Sequence, residues 1–199
     1  MTDHDEKHQQ RMAKKKAIVD ARIAAAQEER GILILLKGNG KGKSSSALGT
    51  MARSLGYGKK CAVIQFIKGQ NETGEQRFFQ DHPLVYWHVM GHGFTWETQD
   101  KSQDIAAAEK AWELAAQLLQ DESYDFLLFD EMSYMFKYGY LDVEPVVKAL
   151  QARPKMQNVM ITGRTMATPL QDIADTISTV QEDRHAFHLG VKAQEGIEF

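Results

Sequence analysis

From residue 31 onward, short apolar runs alternate with longer stretches whose apolar positions recur at helical spacing. Residues 31–36, containing Ile32-Leu33-Ile34-Leu35-Leu36, read as a first buried strand, and Ser44–Leu55 as the helix it feeds. Residues 61–66, Cys61-Ala62-Val63-Ile64-Gln65-Phe66, repeat the uninterrupted apolar pattern of a strand covered on both faces. A short helix is predicted from Thr73 to Asp81 and a strand from Leu84 to Met90. Residues 102–120 place Ile105, Ala108, Trp112, Ala115 and Leu119 on one helical face, with Trp112 expected in the core. Residues 124–131 read as a buried strand ending in Asp130-Glu131. A helix over 142–152 must stop near Arg153-Pro154. Strands over 158–162 and 176–180 flank a short helix over 169–174. Strands alternating with helices imply one α/β domain with a mostly parallel sheet covered on both faces.

Residues 1–30 break this rhythm. They are rich in charges of both signs, and Met12, Val19, Ile23 and Ala26 make only a thin apolar stripe. This segment is expected to be an arm outside the 31–199 domain. It is either solvated and frayed, or a helix that orders against ligand or partner.

Composition narrows the function classes. The 199 residues are 43% hydrophobic, enough for one core, and the net charge of -3 gives no general pull toward nucleic acid or anionic membrane. No apolar run approaches the ~20 residues that span a bilayer, and the charged N-terminus is unlike a secretory signal. A cytoplasmic location is the expectation. The single cysteine, Cys61, lies within an apolar strand and reads as a buried, inert thiol.

The chemistry concentrates in Gly38-Asn39-Gly40-Lys41-Gly42-Lys43-Ser44, between the first strand and its helix. Glycines there let backbone N–H groups turn inward around phosphate oxygens, and the positive end of the next helix faces the same anion. Lys43 would neutralise terminal phosphates and the Ser44 hydroxyl would reach a divalent metal such as Mg²⁺. The usual spacing, G-x-x-x-x-G-K-[ST], puts glycine at position 37, where this chain has Lys37. An ordinary Gly-rich strand-to-helix turn is the competing account. Asp130 and Glu131, ending a buried strand, read as the second half of a phosphate-loop nucleotide site, with at least one carboxylate holding the metal; a strand followed by a helix N-cap is the alternative. Arg164, after the strand over 158–162, is placed to meet a phosphate or to form a structural salt bridge. Phe94 and Trp96, in the glycine-flanked stretch Gly91–Trp96, are either packing residues or a lid over a flat ligand.

Several segments together resemble one family, the phosphate-loop class of corrinoid adenosyltransferases. They are Gly38–Ser44, Met90–Asp100, Asp130-Glu131 with Tyr134-Met135, Ala152–Pro154, Ile161–Arg164, Asp172–Thr176, His185–Phe187, and Gly190–Gln194 with Gly196-Ile197. They run in order from about residue 31 to 199. The family's loop also begins one residue late. The resemblance implies a RecA-like three-layer α/β/α fold and transfer of the 5′-deoxyadenosyl group of ATP to corrinoid cobalt(I), with triphosphate released. It implies ATP contacts from Gly38, Asn39, Gly40, Lys41, Gly42, Lys43, Ser44, Ser45 and Arg164. Lys43 and Glu131 would serve catalysis, and Ser44, Glu131 and Asp130 would surround Mg²⁺. Phe94 and Trp96 would crowd the lower face of the corrin and remove its axial ligand. The implied partners are ATP, cobalamin or a cobinamide-type precursor, a flavoprotein reductant and a second copy of the chain. The arm matches a family helix that covers the corrinoid. The chain departs from the pattern at His92, which receives no role, and in Met166–Pro169. Two rival classes stay open: a phosphate-loop ATPase or kinase with Glu131 as base, and a non-catalytic, ATP-gated corrinoid carrier. The cobalt-ligating D-x-H-x-x-G motif is only approached at Asp183–His188, with His188 at the glycine, and His88 with His92 does not make a zinc site.

Overall fold

The computed structural model describes residues 3–67, 72–91 and 101–199, with side chains from residue 5. The stretches containing Lys68–Asn71 and His92–Asp100, and with them Phe94 and Trp96, lie outside the described residues. The chain divides into two compact units, residues 1–30 and 31–199.

The first unit is one long helix, α1 (Asp3–Ala25). Its few apolar side chains, Met12, Ile18, Val19 and Ile23, are all about half exposed or more. An i,i+4 pair, Lys16 to Asp20 at 2.7 Å, laces its surface.

The second unit is built on six parallel strands: β1 (Leu33–Lys37), β2 (Cys61–Gln65), β3 (Val85–Val89), β4 (Phe126–Asp130), β5 (Asn158–Gly163) and β6 (Thr176–Thr179). They lie in the order β3-β2-β4-β5-β1-β6, every neighbouring pair parallel. The helices between them are α2 (Lys43–Gly56), α3 (Gly74–Phe79), α4 (Lys101–Gln120), α5 (Ser133–Lys137), α6 (Val143–Ala152) and α7 (Thr168–Asp172). A 3₁₀ turn follows at Ala186–Leu189.

The uninterrupted apolar runs split by alternation into two cores, one per sheet face. Leu33 and Leu35 of β1, Leu127 and Phe129 of β4, and Val159 and Ile161 of β5 pack with α4, α6 and α7. Leu36, Cys61, Val63, Phe126, Leu128 and Met160 point the other way, onto Ala47, Leu48 and Met51 of α2. A one-residue register slip would exchange these sets, so the two-sided burial fixes the pairing. Truncating a fully buried member such as Leu128 to Ala costs about 2–5 kcal/mol.

Strands and helices fall where the pattern predicts, within a residue or two. Thr73 and Asp142, read as helix starts, are N-caps, accepting from the N–H groups of Gln76 and Glu144. Trp112 packs on the core only partly buried, and Ala111 and Leu118 share the buried face instead. Asp104 is buried there too and accepts from the Tyr140 hydroxyl at 3.2 Å. The short α5 and the 3₁₀ turn were not anticipated. β6 is a sheet edge and all four of its residues are exposed. Among the described residues, no helix is long and apolar enough to cross a membrane.

Candidate functional site

In an open parallel sheet, ligands gather at the carboxyl ends of the strands. Here β1, β2, β4, β5 and β6 all discharge into one cavity of about 740 Å³. Its floor is the loop between β1 and α2.

Lys37, at the position where the usual spacing puts glycine, is the last residue of β1, and its ammonium donates to Gln171 Oε1 at 2.5 Å. The loop proper begins at Gly38, with φ of +118°, where a Cβ would overlap the Val180 carbonyl. Gly38 N–H donates to the Arg164 carbonyl at 3.1 Å, and Gly40 N–H to the Val180 carbonyl at 2.9 Å. A Cβ on Gly40 would strike the Gln181 carbonyl. The loop is therefore stitched onto the ends of β5 and β6, and its glycines sit where that backbone presses closest. This accounts for the late first glycine: position 37 is still strand.

Gly42, with φ of +110°, caps α2 without any side-chain hydrogen bond. The first-turn N–H groups of this 14-residue helix carry the positive end of its dipole, and the cap leaves them to an anion. Asn39 through Ser45 line the cavity, and Gly38 holds the loop from behind. The Lys43 ammonium is buried in the loop and donates to the Gly40 carbonyl at 2.8 Å.

Opposite the loop, β4 ends in Asp130 and Glu131. Glu131 is the one non-glycine with a left-handed backbone among the described residues, at φ of 56°. Its N–H donates to Thr162 Oγ1 at 2.9 Å, and the Thr162 hydroxyl donates to Asp130 Oδ1 at 2.6 Å. Asp130 Oδ2 accepts from Gln65 Nε2 at 3.5 Å, and Gln65 Oε1 accepts from the Trp87 indole at 3.2 Å. Glu131 Oε2 is buried and has no hydrogen-bond partner among the described residues.

The charges are coupled. Burial first, then Asp130, pushes the Glu131 carboxyl from 4.5 up to about 7, against the pull of Lys43 and Arg164. Burial lowers Lys43; Glu131 opposes that shift and Arg164 adds to it. Arg164 reaches the cavity beside Tyr134, whose hydroxyl burial and Glu131 both raise.

Lys43, Ser44, Asp130, Glu131 and Arg164 thus share one cavity. A buried carboxylate oxygen without a partner among the described residues, with the Ser44 hydroxyl in the same cavity, fits a hard divalent cation. Sequence pattern assigns no role to Gln65 in the wall, to Thr162 buried beneath it, or to the residues on its far side. Gln65 and Thr162 are polar residues inside apolar strands, and that interruption was the available signal. Glu182, His185 and residues 196–199 close the far side, with Lys41 Nζ 2.7 Å from Glu198 Oε2. Nothing in periodicity marks that tail. Cys61 is fully buried, its thiol pushed up to about 12, and takes no part.

Residues 29–199 match the family model described as ATP:corrinoid adenosyltransferase BtuR/CobO/CobP, and residues 1–23 match one described as Cob(I)alamin adenosyltransferase N terminal. A corrinoid adenosyltransferase of Pseudomonas aeruginosa is 51% identical over 99% of this chain and 98% of its own. One from Escherichia coli K12 is 48% identical over 98% and 99%. Corrinoid adenosyltransferase CobA of Salmonella typhimurium LT2 is 49% identical over the same shares.

Proposed function

The chain belongs to the ATP:corrinoid adenosyltransferase family, and from that premise we propose that it transfers the 5′-deoxyadenosyl group of ATP to the cobalt of a corrinoid. Cobalamin and cobinamide-type precursors are the substrate class. Residues 31–199 are the domain that binds both substrates, and residues 1–30 are its arm.

The observation that carries the reading is one cavity assembled for a polyphosphate. Lys43, Arg164 and the uncapped N–H groups of α2 face Glu131 across it. The reaction needs no protein nucleophile. Cobalt(I) supplies the electron pair for the new cobalt–carbon bond, the C5′–oxygen bond breaks, and its pair leaves on triphosphate. The protein's work is then positioning and neutralising the leaving group. The loop over Gly38–Ser45 would hold the phosphates, with Gly38 and Gly40 fixing its shape through their bonds to Arg164 and Val180 and the N–H groups at the start of α2 facing the anion, while Lys43 and Arg164 spread the developing charge. Glu131 and Ser44 would hold Mg²⁺, with Asp130 behind them. The metal would supply Lewis-acid neutralisation of the phosphate oxygens. Phe94 and Trp96, by family resemblance, face the corrin.

The remaining parts of the reading are a homodimer, a flavoprotein as electron donor and a cytoplasmic location. Light scattering giving a monomer mass would remove the first.

The test is anaerobic incubation with ATP, Mg²⁺ and chemically reduced cobalamin, following the visible spectrum and the phosphate products. Loss of the cobalt(I) band, a light-sensitive adenosylated product and stoichiometric triphosphate are expected. Orthophosphate release with an unchanged spectrum would make the protein an ATPase, with Glu131 as a base poised near neutrality. Tight corrinoid binding without turnover would make it a carrier.

A further inference from the structure

A line of hydrogen bonds runs across four strands just beneath the cavity. It starts at the Trp87 indole on β3, passes through Gln65 on β2 to Asp130 on β4, and crosses to Thr162 on β5. There it turns back, because the Thr162 oxygen also accepts the Glu131 N–H. Thr162 is fully buried, so neither bond has water as a substitute.

The outcome differs for the two acids. Both Asp130 oxygens are engaged by protein donors, Thr162 at 2.6 Å and Gln65 at 3.5 Å. Glu131 Oε2 has none. Glu131 also holds a φ of 56°, a conformation that residues with side chains rarely adopt unless their surroundings impose it. The bond between its N–H and Thr162 is such an imposition, and it acts at the residue where the chain bends.

We propose that Thr162 is a positioning residue of this site: its one hydroxyl anchors Asp130 and fixes the bend at Glu131, so that of the two carboxylates in the cavity Glu131 is the one that keeps an oxygen free of protein donors for the metal–triphosphate side. Asp130 acts from behind as the anchor's partner, and Gln65 with Trp87 braces it from the other side. The inference rests on the adenosyltransferase reading for the identity of the ligand. It assigns work to a strand residue that touches neither substrate.

The experiment measures ATP binding by calorimetry, with Mg²⁺ and in EDTA, for the full chain carrying Thr162→Val or Thr162→Ser. Valine keeps the shape and removes the hydroxyl; serine keeps the hydroxyl. Thr162→Val is expected to weaken Mg²⁺-ATP binding by about tenfold or more, with ATP in EDTA changed by less than about threefold. Thr162→Ser should stay within about threefold of the parent in both. Equal affinities for the valine variant and the parent, or equal losses with and without Mg²⁺, would overturn the proposal. Should the valine variant not fold, Gln65→Met decides instead. It removes the other donor to Asp130, and a smaller loss confined to Mg²⁺-ATP is expected; an unchanged affinity would count against the proposal. The parent's own turnover separates the two readings. A parent that binds Mg²⁺-ATP but adenosylates no corrinoid ends the transferase reading and leaves the role of Thr162 standing. A parent that turns over beside an unaffected Thr162→Val ends only the latter.

Discussion

The ammonium of Lys41, in the glycine-rich loop, lies 2.7 Å from the carboxylate of Glu198. A phosphate-loop cation is thus shared with an acid of the same cavity wall. The pair is partly exposed, at 43% and 27% of the side chains, and pairs of this kind contribute about 0–1 kcal/mol. Glu198→Gln should release Lys41 toward phosphate and lower the KM for ATP by up to about fivefold, with little change in kcat. Steady-state kinetics checks this. A raised KM would mean that Glu198 itself binds substrate.

Lys43 is the buried cation of the loop, held by the Gly40 carbonyl. Lys43→Ala should lower triphosphate release by about 100-fold or more, the scale of losing one preorganised donor to developing charge. Lys43→Arg should not rescue it, because a guanidinium is larger and differently shaped than the ammonium this loop encloses. Activity near that of the parent would remove Lys43 from the mechanism.

Glu131 gives the protein a pH signature. Its carboxyl is raised on folding, from 4.5 to about 7. Between those values the folded chain holds a proton that the unfolded chain has lost. Stability is therefore fullest below the ordinary value and declines as pH rises toward 7, by up to about 3 kcal/mol. Above about 7 the decline stops. Glu131→Gln should flatten that slope, so that melting temperatures of variant and parent diverge as pH rises from about 5 to 7.5. Parallel curves would show that the carboxyl titrates normally. Cation binding should follow the opposite trend in the parent, tightening as pH rises through 7, since the ligand is the ionised form.

Two glycines separate backbone necessity from tolerance. At Gly38 a methyl group meets the Val180 carbonyl and the φ is +118°. Gly49 lies exposed within α2, and among the described residues nothing would come within 4 Å of a methyl group there. Gly38→Ala should destabilise by about 2 kcal/mol or more. Gly49→Ala should stabilise by about 0.5–1 kcal/mol through helix propensity. Urea melts of both variants test the pair.

Trp96 is assigned by family resemblance to the lower face of the corrin. Trp96→Ala should spare adenosylation of chemically prepared cobalt(I) substrate and depress turnover from cobalt(II) with a flavoprotein reductant. Equal losses in the two assays would contradict the assignment.

The parts of this molecule legible in its sequence are those where one force dominates. The run Phe126–Phe129 has no solvent face, so only a strand covered on both sides satisfies it, and the sheet follows. Gly42-Lys43-Ser44 after such a strand has few uses other than phosphate. The local pattern carries no long-range information beyond that. Thr162 looks like one more β-branched strand residue until β4 is laid beside β5. The left-handed bend at Glu131 comes from a bond to a residue 31 positions later. α5 is five residues long, too short for a helical period to declare itself. The tail over 196–199 alternates nothing, and its place in the cavity wall is set by packing against a loop far back in the chain.

The floor of the cavity is written early in the chain and finished late. Gly38 and Gly40 are seated by carbonyls of Arg164 and Val180, with Gln181 close above. As the chain emerges during synthesis, the glycine-rich segment appears first and waits for almost everything that gives it shape. Nucleotide therefore cannot template the early stages of folding, and a truncated translation product carries the loop's residues without its grip. Only a chain extended past β6, through Gln181, holds every carbonyl that seats the loop.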